Sequence, residues 1–190
     1  VALDFETTGL NPLEDEIVSI GLVPFTINKV YCRQASYWLV NPNQALEADS
    51  VVIHGITHSE LDHAPGFQRV LGELLKALAG KMVVVHYNRI ERDFLDQALR
   101  VCLGEGIRFP VIDTMAIEAS LQRQRLGSFW KKLRGEKPIS IRLTHSRERY
   151  GLPPYKSHHA LTDAIATAEL FQAQVAHHFS RTTTLEELWV

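Results

Sequence analysis

Apolar residues fall into short blocks through the first forty positions, and this pattern predicts three strands joined by turns. The blocks are Val1–Leu3, which stops at Asp4, then Glu16–Pro24 and Tyr31–Val40. The second block is rich in β-branched residues, and Asn41–Pro42 closes the third. Because strands that follow one another after short turns pair antiparallel, we expect an antiparallel meander.

The period then changes, and helical spacing alternates with short apolar runs. Apolar residues recur every three or four positions from Pro65 to Gly80, from Ile90 to Gly104 and from His158 to Phe179, which predicts three helices. Short strands are predicted at Met82–His86 and Phe109–Ile112, and a further helix opens after the second. The order of elements predicts an α/β fold with a mixed sheet in a single domain, 1–190.

Composition narrows the class of protein. Of 190 residues, 45% are hydrophobic and 22% charged, which is typical of a globular domain and excludes a disordered, fibrous or coiled-coil chain. The longest aliphatic run, Met82–Val85, is far shorter than the roughly 20 residues that cross a bilayer. Cys32 and Cys102 are too few for a disulfide framework, so a reducing, cytoplasmic setting is expected. Because Val1 lies inside an apolar run, we expect the natural protein to begin earlier.

The net charge is −2, but the charges are unevenly distributed. Half of the twenty Lys and Arg residues lie in one segment, about 121–157, where the helical period fades. They are Arg123, Arg125, Lys131, Lys132, Arg134, Lys137, Arg142, Arg147, Arg149 and Lys156. Charge alone favours a solvated surface, and a polyanion-binding strip is the alternative.

Two acids stand where the first strand leaves the apolar core, in the string DFETTGL. Asp4 and Glu6 are two residues apart, so on a strand both face the same side. Like charges this close repel one another unless a cation lies between them, and carboxylate oxygens are ligands for Mg²⁺. The small residues that follow leave room for a phosphate or a ribose. A helix cap and a surface acid are the alternative interpretation.

A histidine and an acid open the last predicted helix, in the string HHALTDA. His158 precedes Asp163 by five residues, so the imidazole is expected near the carboxylate. An imidazole close to a water molecule can take its proton near neutral pH. Taken alone, the pair is a weak signal, and a solvent-exposed histidine is the better interpretation.

Together the two strings resemble the DEDDh 3′–5′ exonucleases, the DnaQ-like group. Three intermediate elements follow in the family's order: His54–Thr57, Val83–His86 and Ile112–Thr114. The resemblance implies a ribonuclease-H-like fold: a mixed five-stranded sheet, with three leading antiparallel strands, then parallel strands, and helices on both faces. The basic segment would then be a variable insertion before the last motif.

The resemblance also implies an activity. The chain would be a metal-dependent 3′–5′ exonuclease that hydrolyses phosphodiester bonds of DNA or RNA and releases nucleoside 5′-monophosphates. Two Mg²⁺ or Mn²⁺ ions would be held by four acids: Asp4, Glu6, Glu91 and Asp163. His158 would be the general base, and His159 a bystander, because it is one residue too close to Asp163.

Glu91 marks a departure from the family, whose second acidic motif reads HNxxFDxxFL. The sequence here is HYNRIERDFL, from His86 to Leu95. Alignment on His86 and on the final Phe-Leu puts Glu91 where the family has Asp, whereas Asp93 would need a shift of two residues. Because the glutamate is one methylene longer, metal coordination is expected to differ. The same alignment puts Tyr87 at an Asn position on the substrate side.

Substrate contacts follow from the resemblance at six positions: Thr7, Gly9, Leu10, His54, Ile56 and Tyr87. Leu10 would lie against the terminal base and Ile56 would wedge beside the last base step, with core packing as the alternative for both. The basic segment, with Phe129, Trp130 and Tyr150 interleaved, would suit a track for single-stranded 3′ ends.

Two other functions stay open at this point. The first is a nucleic-acid-binding adaptor that has lost turnover through the change at Glu91. The second is a proofreading subunit that binds a DNA polymerase, for which Thr184–Val190 is a docking candidate or simply a closing helical turn. The sequence does not decide between DNA and RNA or indicate an oligomeric state.

Overall fold

The computed structural model describes residues 1–42, 55–126, 139–180 and 182–188. The strands are β1 (Ala2–Thr7), β2 (Ile17–Val23), β3 (Phe25–Thr26), β4 (Lys29–Val30), β5 (Ser36–Leu39), β6 (Val83–Val85) and β7 (Val111–Asp113). The helices are α1 (His58–Leu61), α2 (Phe67–Leu78), α3 (Arg89–Leu103), α4 (Thr114–Leu126), α5 (Leu143–Arg149) and α6 (Ala160–His178).

Five strands form one mixed sheet in the order β5-β2-β1-β6-β7. The pairs β1–β2 and β2–β5 are antiparallel, whereas β1–β6 and β6–β7 are parallel. This confirms the predicted sheet of three leading antiparallel strands followed by parallel ones. Strands β6 and β7 are buried on both faces, as expected for parallel strands covered by helices.

Helices cover both faces of the sheet. Alternate residues of β1 point in opposite directions, so the strand contacts the helices on both sides. Leu3 and Phe5 pack in one core cluster with residues of α2 and α3. Ala2 packs in a second cluster with Ala164 and Ala168 of α6. In the described part of the chain, no helix has both the length and the apolar character needed to cross a membrane.

Three differences between the predicted and the observed elements stand out. β1 continues past Asp4 as far as Thr7, because its ladder with β2 extends that far. The third strand is shorter than expected, since Cys32–Gln34 forms a 3₁₀ turn and β5 begins only at Ser36. Helix α5 was not predicted, because its seven residues are too few for a helical period to stand out.

Gly21 allows the start of α6 to lie directly on β2. It pairs with Asp4 across the β1–β2 ladder, so both occupy the sheet face that α6 covers. A Cβ atom at Gly21 would lie 2.2 Å from the carbonyl carbon of Ala160, the first residue of α6. The absence of a side chain therefore brings the N-terminal turn of α6 over the acidic end of β1.

We expect Gly21→Ala to destabilise the fold by about 3 kcal/mol, because the added methyl group would push α6 off the sheet. Gly72→Ala is the matched control, since Gly72 lies within α2 and a Cβ there meets nothing within 4 Å. That control should be neutral or stabilising by about 0.5–1 kcal/mol. Urea unfolding of both variants measures the difference, and equal stabilities would contradict this account of Gly21.

Candidate active site

Three predicted acids meet at the end of β1. One carboxylate oxygen from each of Asp4, Glu6 and Asp163 lies within 4.8 Å of the others. Asp4 and Glu6 share a face because they are two residues apart on a strand, and α6 brings Asp163 over that face. Spacing predicted that Asp4 and Glu6 share a face, and the resemblance implied that Asp163 joins them.

The fourth predicted acid, Glu91, lies in the first turn of α3 and is 1% exposed. β1 pairs with β6 through Ala2 and Val84, near the start of β1. Further along the same strand, the backbone N–H of Phe5 donates to the Glu91 carboxylate. The Oε2 atom of Glu91 is buried and has no hydrogen-bond partner among the described residues. Asp93 is exposed, so α3 turns Glu91 inward and Asp93 outward.

Burial and repulsion between carboxylates raise the pKa values of Asp4, Glu6 and Glu91. Burial raises the pKa of Asp4 well above its usual range, and the charges of Glu91, Asp163 and Glu6 raise it further. Burial also raises the pKa of Glu6 to about 7, and it raises that of Glu91 well above its usual range. The group therefore cannot be fully ionised near neutral pH without compensating positive charge.

The donor set fits hard divalent cations. Mg²⁺ and Mn²⁺ prefer oxygen ligands, and every side chain at this centre is a carboxylate. A buried carboxylate oxygen with no partner, such as Oε2 of Glu91, is an unusual cost that a cation nearby would offset. Three carboxylates within 4.8 Å together with this unpartnered oxygen make the centre a candidate metal site.

Asp163 also fixes the backbone that carries His158. Its Oδ2 atom accepts the backbone N–H of His158 at 2.7 Å and that of His159 at 3.2 Å. His158 has a left-handed φ of 65°, which is uncommon for a residue other than glycine, and its side chain is exposed. The imidazole therefore stands at the rim of the acidic centre.

Tyr155 is a contact of Asp163 that the sequence argument missed. Its phenol donates a hydrogen bond to the Asp163 carboxylate. Burial raises the pKa of Tyr155, and the charge of Asp163 raises it further, so the hydroxyl stays protonated and remains a donor. No spacing rule could identify this tyrosine, because the loop between α5 and α6 has no regular period.

A cavity of about 320 Å³ opens beside His158. His159, predicted as a bystander, stacks on Tyr37 in its wall, with ring centroids 4.7 Å apart. Ile56 also lines the cavity, but it is only 6% exposed and packs in a core cluster. Most of its side chain therefore packs in the core, which was the alternative interpretation of this residue. Lys156 supplies a positive charge at the same wall.

The turn after β1 is held by hydrogen bonds within the chain. The Thr7 hydroxyl donates to the carbonyl of Gly9 at 2.6 Å. Asp15 accepts from the Thr8 hydroxyl and from the backbone N–H of Asn11. A Cβ at Gly9 would lie 2.5 Å from the Asp15 carboxylate, so this turn needs the glycine.

Two predicted substrate contacts are strongly exposed. Leu10 is 82% exposed, so core packing is wrong as its alternative interpretation. Tyr87 is 42% exposed and has a left-handed φ of 85°. Its backbone N–H and that of Asn88 donate to the two oxygens of Asp113, at 3.0 and 2.9 Å. Asp113 thus anchors the start of α3, a role that the Asp-Thr motif alone did not indicate.

His86 is partly buried beside the site, and both of its ring nitrogens have partners. Its two ring nitrogens lie 2.8 Å from the Thr114 hydroxyl and 3.1 Å from the carbonyl of Ile141. Burial lowers the pKa of His86 to about 4, so the ring is neutral at physiological pH. His86 therefore links β6, α4 and the loop before α5, and it belongs to the packing around the site.

The basic segment is only partly a surface. Arg147 is 2% exposed and pairs with Glu169, and Arg149 pairs with the buried Glu118. The Tyr150 hydroxyl donates to Glu118 at 2.7 Å, so its ring is not a free stacking platform. The prediction that these three residues form part of a nucleic-acid-binding track is therefore wrong. Arg123, Arg142 and Lys156 are exposed. Outside the described residues lie His54, Phe129, Trp130, Lys131, Lys132, Arg134 and Lys137.

Comparisons with known proteins converge on one family. The RNase_T model, described as an exonuclease, matches residues 1–171. The DNA polymerase III PolC-type of Thermotoga petrophila is 33% identical over 171 residues, which are 90% of this chain and 11% of the relative. The DNA polymerase III subunit epsilon of Treponema pallidum is 29% identical over 177 residues, 93% of this chain and 76% of the relative.

Solved structures share the fold. The nuclease domain of 3′hExo, a DEDDh family member bound to rAMP, has a TM-score of 0.69 at 22% identity and covers 93% of this chain and 91% of its own. Exonuclease X in complex with 5′ overhanging duplex DNA has a TM-score of 0.70 at 21% identity, with coverages of 98% and 95%. The chain spans about a tenth of the PolC-type relatives.

We expect Glu6→Gln to stabilise the metal-free protein above pH 7, because it removes one charge from the acidic group. The fold raises the pKa of Glu6 to about 7, whereas an unfolded glutamate titrates near about 4.3. Between these values the folded state binds more protons, so the stability of the wild type falls as the pH rises.

Urea unfolding in EDTA should give a difference of about 2 kcal/mol between the variant and the wild type at pH 8, and almost none at pH 4. Glu14→Gln is the control, since Glu14 is an exposed glutamate outside the group. A Glu6→Gln difference that does not change with pH would contradict the assigned electrostatics.

Proposed function

Because the chain belongs to the exonuclease family that the RNase_T model describes, as its motifs predict, we propose that it is a metal-dependent 3′–5′ exonuclease. It would hydrolyse phosphodiester bonds at the 3′ end of DNA or RNA and release nucleoside 5′-monophosphates. The observation that carries the proposal is the convergence of Asp4, Glu6 and Asp163 within 4.8 Å, beside the buried carboxylate of Glu91.

Asp4, Glu6, Asp163 and Glu91 would hold two Mg²⁺ or Mn²⁺ ions. When bound, such ions activate a water molecule for attack on phosphorus and stabilise charge on the departing oxygen. Asp4, Glu6 and Asp163 are close enough to share one ion. Glu91 lies outside this tight group, and its unpartnered Oε2 atom is the oxygen that we assign to the metal centre.

His158 would be the general base. Two of its features support this role: its backbone N–H donates to Asp163, and the exposed residue lines an open cavity that a substrate can enter. An imidazole there can remove the proton from the attacking water and pass it to solvent. Asp163 thus has two tasks, since it is a metal ligand and also holds the loop of the base.

The terminal nucleotide would bind between the exposed turn after β1 and the cavity beside His158. Leu10 offers apolar surface to a base, and Thr7 and Gly9 present backbone and hydroxyl groups nearby. Lys156 in the cavity wall suits a backbone phosphate. Tyr87 stands exposed at the start of α3, where its ring can stack on a base.

A polymerase partner is the second proposal for this chain, and relatives support it, because two of them are named as DNA polymerase III proteins. Single-stranded 3′ ends would be the substrate in either setting, and His54 and Ile56 would bind near the last base step.

The cytoplasm is the proposed compartment, in keeping with the free thiols of Cys32 and Cys102.

A cleavage assay tests the function. Single-stranded DNA and RNA oligonucleotides carrying a 3′ label are incubated with the protein and Mg²⁺, Mn²⁺ or EDTA. We expect metal-dependent release of labelled mononucleotide, with the faster polymer identifying the substrate. Release of longer fragments, or cleavage in EDTA, would contradict the proposal.

Variants of α3 test the assignment of the fourth acid. Glu91→Gln keeps the size of the side chain but removes its charge, so we expect a loss of activity of at least about 100-fold. The matched control is Asp93→Asn, which makes the same chemical change on the exposed face of the same helix and should leave activity unchanged. Full activity in Glu91→Gln would contradict the assignment of Glu91 as the fourth acid of the active site. Binding without any cleavage by the wild type would favour the adaptor function.

A further inference from the structure

Arg147 is a buried arginine that joins three parts of the chain. It lies on α5, and its Nη1 atom donates to the carbonyl of Ala166 at 2.8 Å and to Glu169 at 2.7 Å, both on α6. A charged side chain that is 2% exposed is costly unless it is well paired, so its partners define its role. On this side Arg147 holds α5 against α6.

The other side of the guanidinium holds the loop between the two helices. Nη2 donates to the carbonyl of Pro153 at 3.2 Å, and the planar group lies over the ring of Tyr155, 4.9 Å from its centroid. The backbone carbonyl of Arg147 also accepts the N–H groups of Tyr150 and Leu152. One arginine therefore fixes the loop that leads directly into His158.

Tyr155 carries this contact to the acidic centre. Its hydroxyl accepts a hydrogen bond from Thr144 of α5 and donates one to the Asp163 carboxylate. Two backbone N–H groups already reach Oδ2 of Asp163. With the phenol added, the carboxylate is held by three donors. Asp163 lies about one helical turn before Ala166 on α6. Arg147 therefore also holds this stretch of the helix, through its hydrogen bond to the Ala166 carbonyl.

We propose that Arg147 and Tyr155 are positioning residues: Arg147 fixes the ring of Tyr155, and the Tyr155 hydroxyl orients the Asp163 carboxylate for metal binding. This inference rests on the proposed function and assigns Arg147 a role other than binding nucleic acid. Groups that orient a ligand in this way commonly change metal affinity by 10- to 100-fold when removed.

Mn²⁺ titration without nucleic acid, followed by calorimetry or electron paramagnetic resonance, tests the role of Tyr155. Tyr155→Phe keeps the ring under Arg147 and removes only the hydroxyl, so we expect affinity for Mn²⁺ to fall about tenfold. Tyr150→Phe is the matched control, because it removes a hydroxyl that donates to the buried Glu118 instead. That control should lose stability but keep the affinity of the wild type.

Kinetics test the role of Arg147. Arg147→Lys keeps the charge but loses the planar group that stacks and donates in two directions. We expect kcat to fall about tenfold, with KM for an oligonucleotide and its salt dependence unchanged. Arg142→Ala, at an exposed base of the same segment, should instead raise KM and weaken the salt dependence.

The outcomes separate this inference from the proposed function. A wild type that binds no Mn²⁺ and cleaves nothing would overturn both. A wild type that binds Mn²⁺, with Tyr155→Phe folded and binding equally well, would overturn the inference alone. An equal loss of affinity in Tyr150→Phe would also overturn it, because the effect would then be general destabilisation. A raised KM with unchanged kcat in Arg147→Lys would overturn the positioning role, because it would show that Arg147 contributes to binding the nucleic acid.

Discussion

Repulsion between carboxylates held inside the fold is the constraint on which this site depends. Burial and the neighbouring charges raise the pKa of Asp4, and the same causes act on Glu6 and Glu91. Such a group costs stability in the metal-free protein, and divalent cations bound there would offset that cost. The proposed function therefore links chemistry and stability, because the charges that would bind metal are those that oppose folding without it.

Two packing features bring the acids together from distant parts of the sequence. Gly21 lets the first turn of α6 lie against the sheet, which carries Asp163 to Asp4. Asp113 anchors the start of α3, and thereby sets where Glu91 enters the interior. None of these anchors touches a reacting atom, yet the spacing of the carboxylates follows from them.

The sequence predicted the parts of the site that follow from local periodicity. The two-residue spacing of Asp4 and Glu6 needed no knowledge of the tertiary structure, and alignment with the family motif favoured Glu91 over Asp93. Tyr155, Arg147 and Asp113 could not be found in this way, because their roles depend on contacts between segments. A buried arginine within a basic stretch has the same sequence signature as a solvent-exposed one, which is why the basic segment was interpreted as a uniform surface.

The positions of bound metal ions are the sharpest test of the proposed metal centre. Crystals soaked with Mn²⁺ and a nucleoside 5′-monophosphate can be measured at the manganese absorption edge, where anomalous scattering locates the ions. We expect anomalous density in contact with the carboxylates of Asp4, Glu6 and Asp163, with the Glu91 carboxylate turned toward it. Ordered nucleotide with no manganese at these carboxylates, or manganese bound elsewhere only, would contradict the account.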